Sequence, residues 1–151
     1  MTMLARQQIR DARAFGASVS GYVWAYWGVD ALEHINSALD VAPPGSNLKM
    51  IWIDCEDDAG AAPGTVGPWL VTAREIIEAR GYRMGIYTGR YWWQDKTGNS
   101  EVFADLPLWL ADYDNVDTLE MRYPFGGWTT LAGKQYTSDP IDLDVFSSTV
   151  I

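Results

Sequence analysis

One cysteine, Cys55, stands among 151 residues. No disulfide closes within the chain, and no cysteine-based metal framework is available. Histidine is as scarce. His34 is the single copy, lies on an expected helix far in sequence from the acidic strand described below, and reads as a surface or packing residue rather than a catalytic one. Basic residues are few, 11 Lys and Arg against 20 Asp and Glu for a formal charge of -9, so a nucleic acid would bind against the overall field and is set aside as a partner. No uninterrupted apolar run approaches the ~20 residues of a membrane span. No basic-then-apolar leader opens the chain, so a soluble protein without an encoded export signal is expected. Internal repeats and low-complexity segments are absent.

What is present describes one globular domain over residues 1–151. Hydrophobic residues make up 48% and charged residues 21%, and the length is enough to bury a proper core. Aromatics are abundant, with 8 Trp and 8 Tyr. Core filling accounts for about half of them, and the surplus suits a cleft that stacks flat ligands such as sugar rings.

Strand-like and helix-like stretches alternate. Leu4 to Phe15 reads as an amphipathic helix stopped by Gly16, and Gly21 to Trp27 as a strand. Val29 to Val41 carries Leu32, Ile35 and Leu39 at helical spacing, with Asp30 placed to cap it. After Pro43-Pro44-Gly45 comes an apolar, acid-tipped strand within Lys49 to Asp58, followed by a loop from Gly60 to Gly67. Trp69 to Arg80 is the clearest helix, with Leu70, Ala73, Ile76 and Ile77 on one face and Gly81 as its stop. Further strands are expected at Tyr82 to Thr88, Pro107 to Tyr113, Leu131 to Thr137 and Ile141 to Phe146, with a short helix at Arg90 to Lys96 and a turn-rich stretch at Met121 to Trp128. This order predicts an α/β fold with about six mainly parallel strands and helices outside.

Chemistry concentrates on the second strand. Side chains alternate along a strand, so Trp52, Asp54 and Glu56 share one face while Ile51, Ile53 and Cys55 share the other. The second face is apolar enough to lie under helices, and Cys55 on it reads as a buried small hydrophobe. In parallel α/β folds ligands sit at the carboxyl ends of strands, where Asp54 and Glu56 fall. Two carboxylates in one cleft repel each other, and partial burial lifts one pKa so that it keeps a proton near neutrality. Such a pair suits glycoside hydrolysis, one member donating a proton and the other stabilising developing positive charge. Asp54, Glu56, Asp57 and Asp58 would equally suit Mg²⁺ or Ca²⁺, or form a solvated acidic loop. Trp92-Trp93 reads as either a substrate platform or a packing face, Asp112 as a cap or ion-pair residue, and Asp114 and Asp117 as solvated loop.

Five segments in order carry a resemblance: Ile51-Trp52-Ile53-Asp54-Cys55-Glu56, Gly85-Ile86-Tyr87-Thr88-Gly89, Leu108-Trp109-Leu110-Ala111-Asp112-Tyr113, Gln135-Tyr136-Thr137-Ser138 and Ile141-Asp142-Leu143-Asp144-Val145-Phe146. Together they resemble glycoside hydrolase family 25, the lysozymes (N-acetylmuramidases) of bacteria and phages. The resemblance implies a TIM-like β/α barrel that hydrolyses the β-1,4 bond between N-acetylmuramic acid and N-acetylglucosamine in peptidoglycan, without a metal or other cofactor. Glu56 takes the general acid/base role in it. Asp54 is the neighbouring carboxylate, Asp142 matches the late acidic position, and the substrate's acetamido group supplies the nucleophile. Tyr87, Trp109, Tyr113 and Gln135 fall where the family lines its sugar subsites, and Trp24 and Trp52 complete the candidate substrate-binding set. Asp144 shares a face with Asp142 on a regular strand.

The family's opening strand, of the type Gly-Ile-Asp-Val-Ser, has no counterpart before Leu4, and Lys134 stands where a Trp usually precedes the Gln-Tyr pair. The expectation is therefore an incomplete barrel, N-terminally truncated by two strands, with one fewer acid in its cluster. Its open sheet edge would be covered by a second copy or another polypeptide, unless Leu4 to Phe15 folds over it. A phage-encoded endolysin, in the host cytoplasm before lysis or in the virion, is the expected setting. A catalytically degenerate module that binds glycan or builds an assembly is the alternative.

Overall fold

The computed structural model describes residues 3–42, 46 and 48–149, with side chains described from Gln7 onward; the expected Pro43-Pro44-Gly45 turn lies outside the described residues. The chain runs α1 (Met3–Ala14), β1 (Gly21–Trp24), α2 (Ala31–Leu39), β2 (Ile51–Cys55), α3 (Pro63–Ala79), β3 (Met84–Gly89), α4 (Arg90–Thr97), β4 (Leu108–Ala111), β5 (Gly133–Thr137) and β6 (Leu143–Phe146). The six strands form one sheet in sequence order. Strands β1 to β5 are parallel, and β6 returns antiparallel to β5. The short link between β5 and β6 has no room for the crossover that a parallel neighbour requires.

Local chemistry sets the helix ends. The Asp30 carboxylate accepts the Glu33 backbone N–H at 3.0 Å and caps α2. Gly16 and Gly81 follow α1 and α3 with φ of +78° and +79°, a left-handed turn that costs glycine nothing. Helix α3 begins earlier than Trp69, inside the stretch expected to be loop. Pro63 opens it, where a missing N–H costs nothing, and the Ala62 backbone N–H donates to Thr65 Oγ1 at 3.0 Å. The glycines at 64 and 67 hide this turn from a pattern search. Leu32 also departs from expectation. Helix α2 buries Ala31, Ile35 and Leu39, four residues apart, which rotates Leu32 into solvent.

The helices cover one face of the sheet. Ile51, Ile53 and Cys55 of β2, Met84 and Ile86 of β3, and Leu108 and Leu110 of β4 pack there against Ile35, Leu39, Leu70, Ala73, Ile77 and Trp93. Four tryptophans cement this layer with their indole N–H groups satisfied. Trp27 donates to Asp57 O, Trp69 to Val29 O, Trp93 to Ser100 O and Trp128 to Leu106 O, all within 2.8–3.1 Å. Trp92 stacks on Trp27 at 5.5 Å and Trp93 meets Trp128 at 4.8 Å, so that pair is a packing face.

The opposite face is smaller and aromatic. Met50, Trp52 and Ala132 are buried there beneath Trp109 and Phe146. Two glycines make the floor possible. A Cβ on Gly85 would collide with the Trp52 ring, and one on Gly133 with the Phe146 ring, so both rings lie flat on bare backbone.

Candidate active site

Strand register stacks the site in rows. Trp24, Asp54, Tyr87 and Trp109 are consecutive partners across β1 to β4, with side chains on the face away from the helices. One row lower come Tyr22, Trp52 and Gly85; one row higher, Gly89, Ala111, Gln135 and Asp144. Glu56, two residues past Asp54, tops β2 on the same face. The result is a cleft of about 350 Å³ at the carboxyl ends of the parallel strands, lined by Tyr22, Trp24, Asp54, Glu56, Tyr87, Trp109, Tyr113, Gln135 and Asp142.

Eight of the nine candidate site residues thus meet in one cleft. Trp52 is the exception. At 2% exposed it lies one row below Asp54, edge-on to Trp109 at 5.7 Å, and supports the wall without lining it. Tyr22 is the lining residue the sequence reading passed over. It is 68% exposed, and its place two residues before Trp24 is the signal that would have found it.

Hydrogen bonds fix the walls. The Tyr87 and Tyr113 hydroxyls both donate to Gln135 Oε1, at 2.7 and 2.9 Å. Trp109 Nε1 donates to Asp144 Oδ1 at 2.9 Å. That bond engages Asp144 with the wall, while Asp142 lines the cleft. Trp24 Nε1 donates to Asp57 Oδ2 at 3.3 Å, and its carbonyl oxygen lies 2.9 Å from His34 Nε2. His34 therefore packs against the end of β1 and holds it.

The carboxylates pay electrostatically for their positions. Asp54 is 7% exposed, and burial, then the charge of Glu56, pushes its pKa up to about 7. Burial, then Asp142, raises Glu56 above the usual range. Burial also raises Asp144, opposed by the Trp109 hydrogen bond and helped by Asp142. Buried Asp54 Oδ1 has no protein partner. The pair thus retains a proton into the neutral range and presents one open acceptor.

The other acids turn elsewhere. Asp57 Oδ1 accepts from the Ala59 backbone N–H at 2.8 Å, and Asp58 lies 3.4 Å from Lys96 Nζ. Among the described residues no three His, Cys, Asp or Glu side chains converge as metal ligands. Cys55 points into the helix-side core. Asp114, expected in solvated loop, instead takes the Nζ of Lys134 at 2.6 Å, and Lys134 is 1% exposed on β5. Burial alone would raise the Asp114 pKa; the Lys134 bond, the Val116 N–H and Arg122 hold it below the usual carboxylate range.

Paired acids with raised pKa at strand ends, walled by indole and phenol rings, are an arrangement suited to glycoside chemistry on a β/α fold. The sequence profile of Glycosyl hydrolases family 25 matches residues 2–145, and the chain belongs to that family. Counting factor 50 of Dictyostelium discoideum is 32% identical over 133 residues, covering 82% of this chain and 43% of that protein. Lysozyme-like protein 5 of Caenorhabditis elegans is 30% identical over 131 residues, covering 82% and 60%. The chain therefore spans about half the length of these relatives. A family GH25 lysozyme from Aspergillus fumigatus superposes with a TM-score of 0.77 at 23% identity, over 94% of this chain and 74% of that one. The fold is the half-barrel counterpart of that TIM-like architecture.

Proposed function

We propose that the chain hydrolyses the β-1,4 bond between N-acetylmuramic acid and N-acetylglucosamine, with Glu56 as acid/base and Asp54 assisting. The observation that carries this is the Asp54–Glu56 pair itself, both members shifted upward within an aromatic-walled cleft. A glycan laid over Glu56 strips water from it and favours its protonated form. Glu56 then donates to the leaving glycosidic oxygen. Asp54, ionised in turn, presents Oδ1 to the N–H of the substrate acetamido group. The acetamido oxygen attacks the anomeric carbon from the other side, and water activated by Glu56 opens the resulting cyclic intermediate. Tyr22, Trp24 and Trp109 offer ring faces to sugars, and Asp142 helps hold the Glu56 proton.

Glu56→Gln tests this reading. It should abolish clearing of a cell-wall suspension while leaving the circular dichroism spectrum unchanged; equal clearing removes the mechanism. Binding of peptidoglycan fragments by a wild-type chain that turns nothing over identifies a glycan-binding module instead. The expectation of association goes with the same proposal. Among the described residues β1 pairs with β2 alone, and a second copy pairing along its free side would give a dimer in light scattering. A monomeric profile at every concentration counts against that dimer.

A further inference from the structure

Beside the cleft lies a second recess of about 350 Å³, walled by the start of α4, the end of β4 and the segment carrying Arg122 and Tyr123. It is rich in donors. The Arg90 guanidinium sits 4.3 Å from the Tyr91 ring centroid and 4.7 Å from that of Tyr123, and donates to the Tyr91 hydroxyl at 2.7 Å. Two rings and a hydrogen bond hold that fork in place before any ligand arrives.

Several other cations are already engaged, Arg122 of the same recess among them at 3.8 Å from Asp114. Arg74 pairs with Glu78 and Asp105, Arg80 with Asp40, Lys96 with Asp58 and Asp95, and Lys134 with Asp114. Arg90 has no carboxylate within ion-pairing distance among the described residues, in a protein of net charge -9. Trp92 and the first turn of α4 belong to the same recess. Trp92 lines the recess, and its buried Nε1 has no partner. Helix α4 starts at Arg90 without a side-chain cap or an acid in its first turn, so its first N–H groups also seek an acceptor. Asp112 adds one acceptor on the β4 side. A ligand bearing both a carboxylate and N–H groups fits that polarity better than a phosphate does.

Gly89 and Ala111 of this recess lie two residues beyond Tyr87 and Trp109 of the cleft on the same strands. That is roughly 7 Å, the span of about two extended peptide residues. Muramic acid carries a peptide on its lactyl group. We propose that this recess is a subsite for a carboxylate of that peptide, bound by Arg90; the assignment rests on the glycan-hydrolysing reading above.

The test compares a glycan bearing its peptides with the same glycan stripped of them by an amidase, using the wild-type chain and Arg90→Gln. KM for the peptide-bearing glycan should rise about tenfold in Arg90→Gln, the size of a lost charged hydrogen bond, with kcat unchanged and the stripped glycan handled as by wild type. Equal kinetics on both substrates, or the same loss on both, overturns the subsite. If wild type cleaves neither glycan, the hydrolytic reading fails, and the subsite is then read by NMR on the Trp92 indole N–H. A saturable shift with a free stem tripeptide, lost in Arg90→Gln, supports it. Absence of that shift, or a shift with inorganic phosphate alone, overturns it.

Discussion

Ile53 and Asp54 are neighbours on β2, almost equally buried, and they face opposite sides of one sheet. On the helix side Ile53 joins a continuous apolar layer in which even Thr88 is satisfied, its hydroxyl donating to Cys55 O at 2.8 Å. On the cleft side Asp54 keeps an oxygen without a partner and a pKa moved up to about 7. One face lowers the free energy of the fold; the other holds strained electrostatics that the first must support. The proposed chemistry is placed where stability is given up.

Substitutions on the two faces should diverge accordingly. Ile53→Ala opens a cavity in the helix-side layer and should cost about 3 kcal/mol, read as a lower urea midpoint, while the folded fraction keeps its turnover. Asp114→Ala leaves the buried Lys134 charge unpaired and should cost as much, about 3 kcal/mol. Because the Asp114 pKa is depressed in the fold, that difference should be present above about pH 4 and fade as acid protonates the carboxylate. Gly85→Ala pushes a methyl into the Trp52 ring and should cost about 2 kcal/mol. It tilts the cleft floor and so should raise KM as well.

The smallest effect has the opposite sign. The Asp54 pKa is raised in the fold, so the native state binds more protons than the unfolded one between about pH 4 and 7, and stability falls as pH rises through that window. Asp54→Asn removes the buried charge. It should raise thermal stability by about 1–2 kcal/mol at pH 8, about 2–6 °C, and by little at pH 4. A variant equally destabilised at both pH values would show that Asp54 is not under electrostatic strain.

Much of this was legible before folding. Period-two alternation placed Asp54 and Glu56 on one face, Asp30 announced α2, and the strand count follows from runs bounded by turn residues. The misses have physical causes. Pro63 with Gly64 and Gly67 resembles a loop, although a proline opening and the Thr65 hydroxyl make it a helix start. Trp52 shares the face of Asp54, yet the bare backbone of Gly85 on the next strand lets its ring sink under the cleft. The Lys134–Asp114 pair joins β5 to the bend after β4, residues 20 apart, and no local pattern announces such a partner.

The central claim is that the Glu56 side of the sheet cleaves on the muramic acid side of the glycan. Purified peptidoglycan digested by the wild-type chain and reduced with borohydride shows which sugar carries the new reducing ends. N-acetylmuramic acid ends that appear with wild type and vanish with Glu56→Gln are the expected result. N-acetylglucosamine ends, or muramic ends released equally by both proteins, would contradict it.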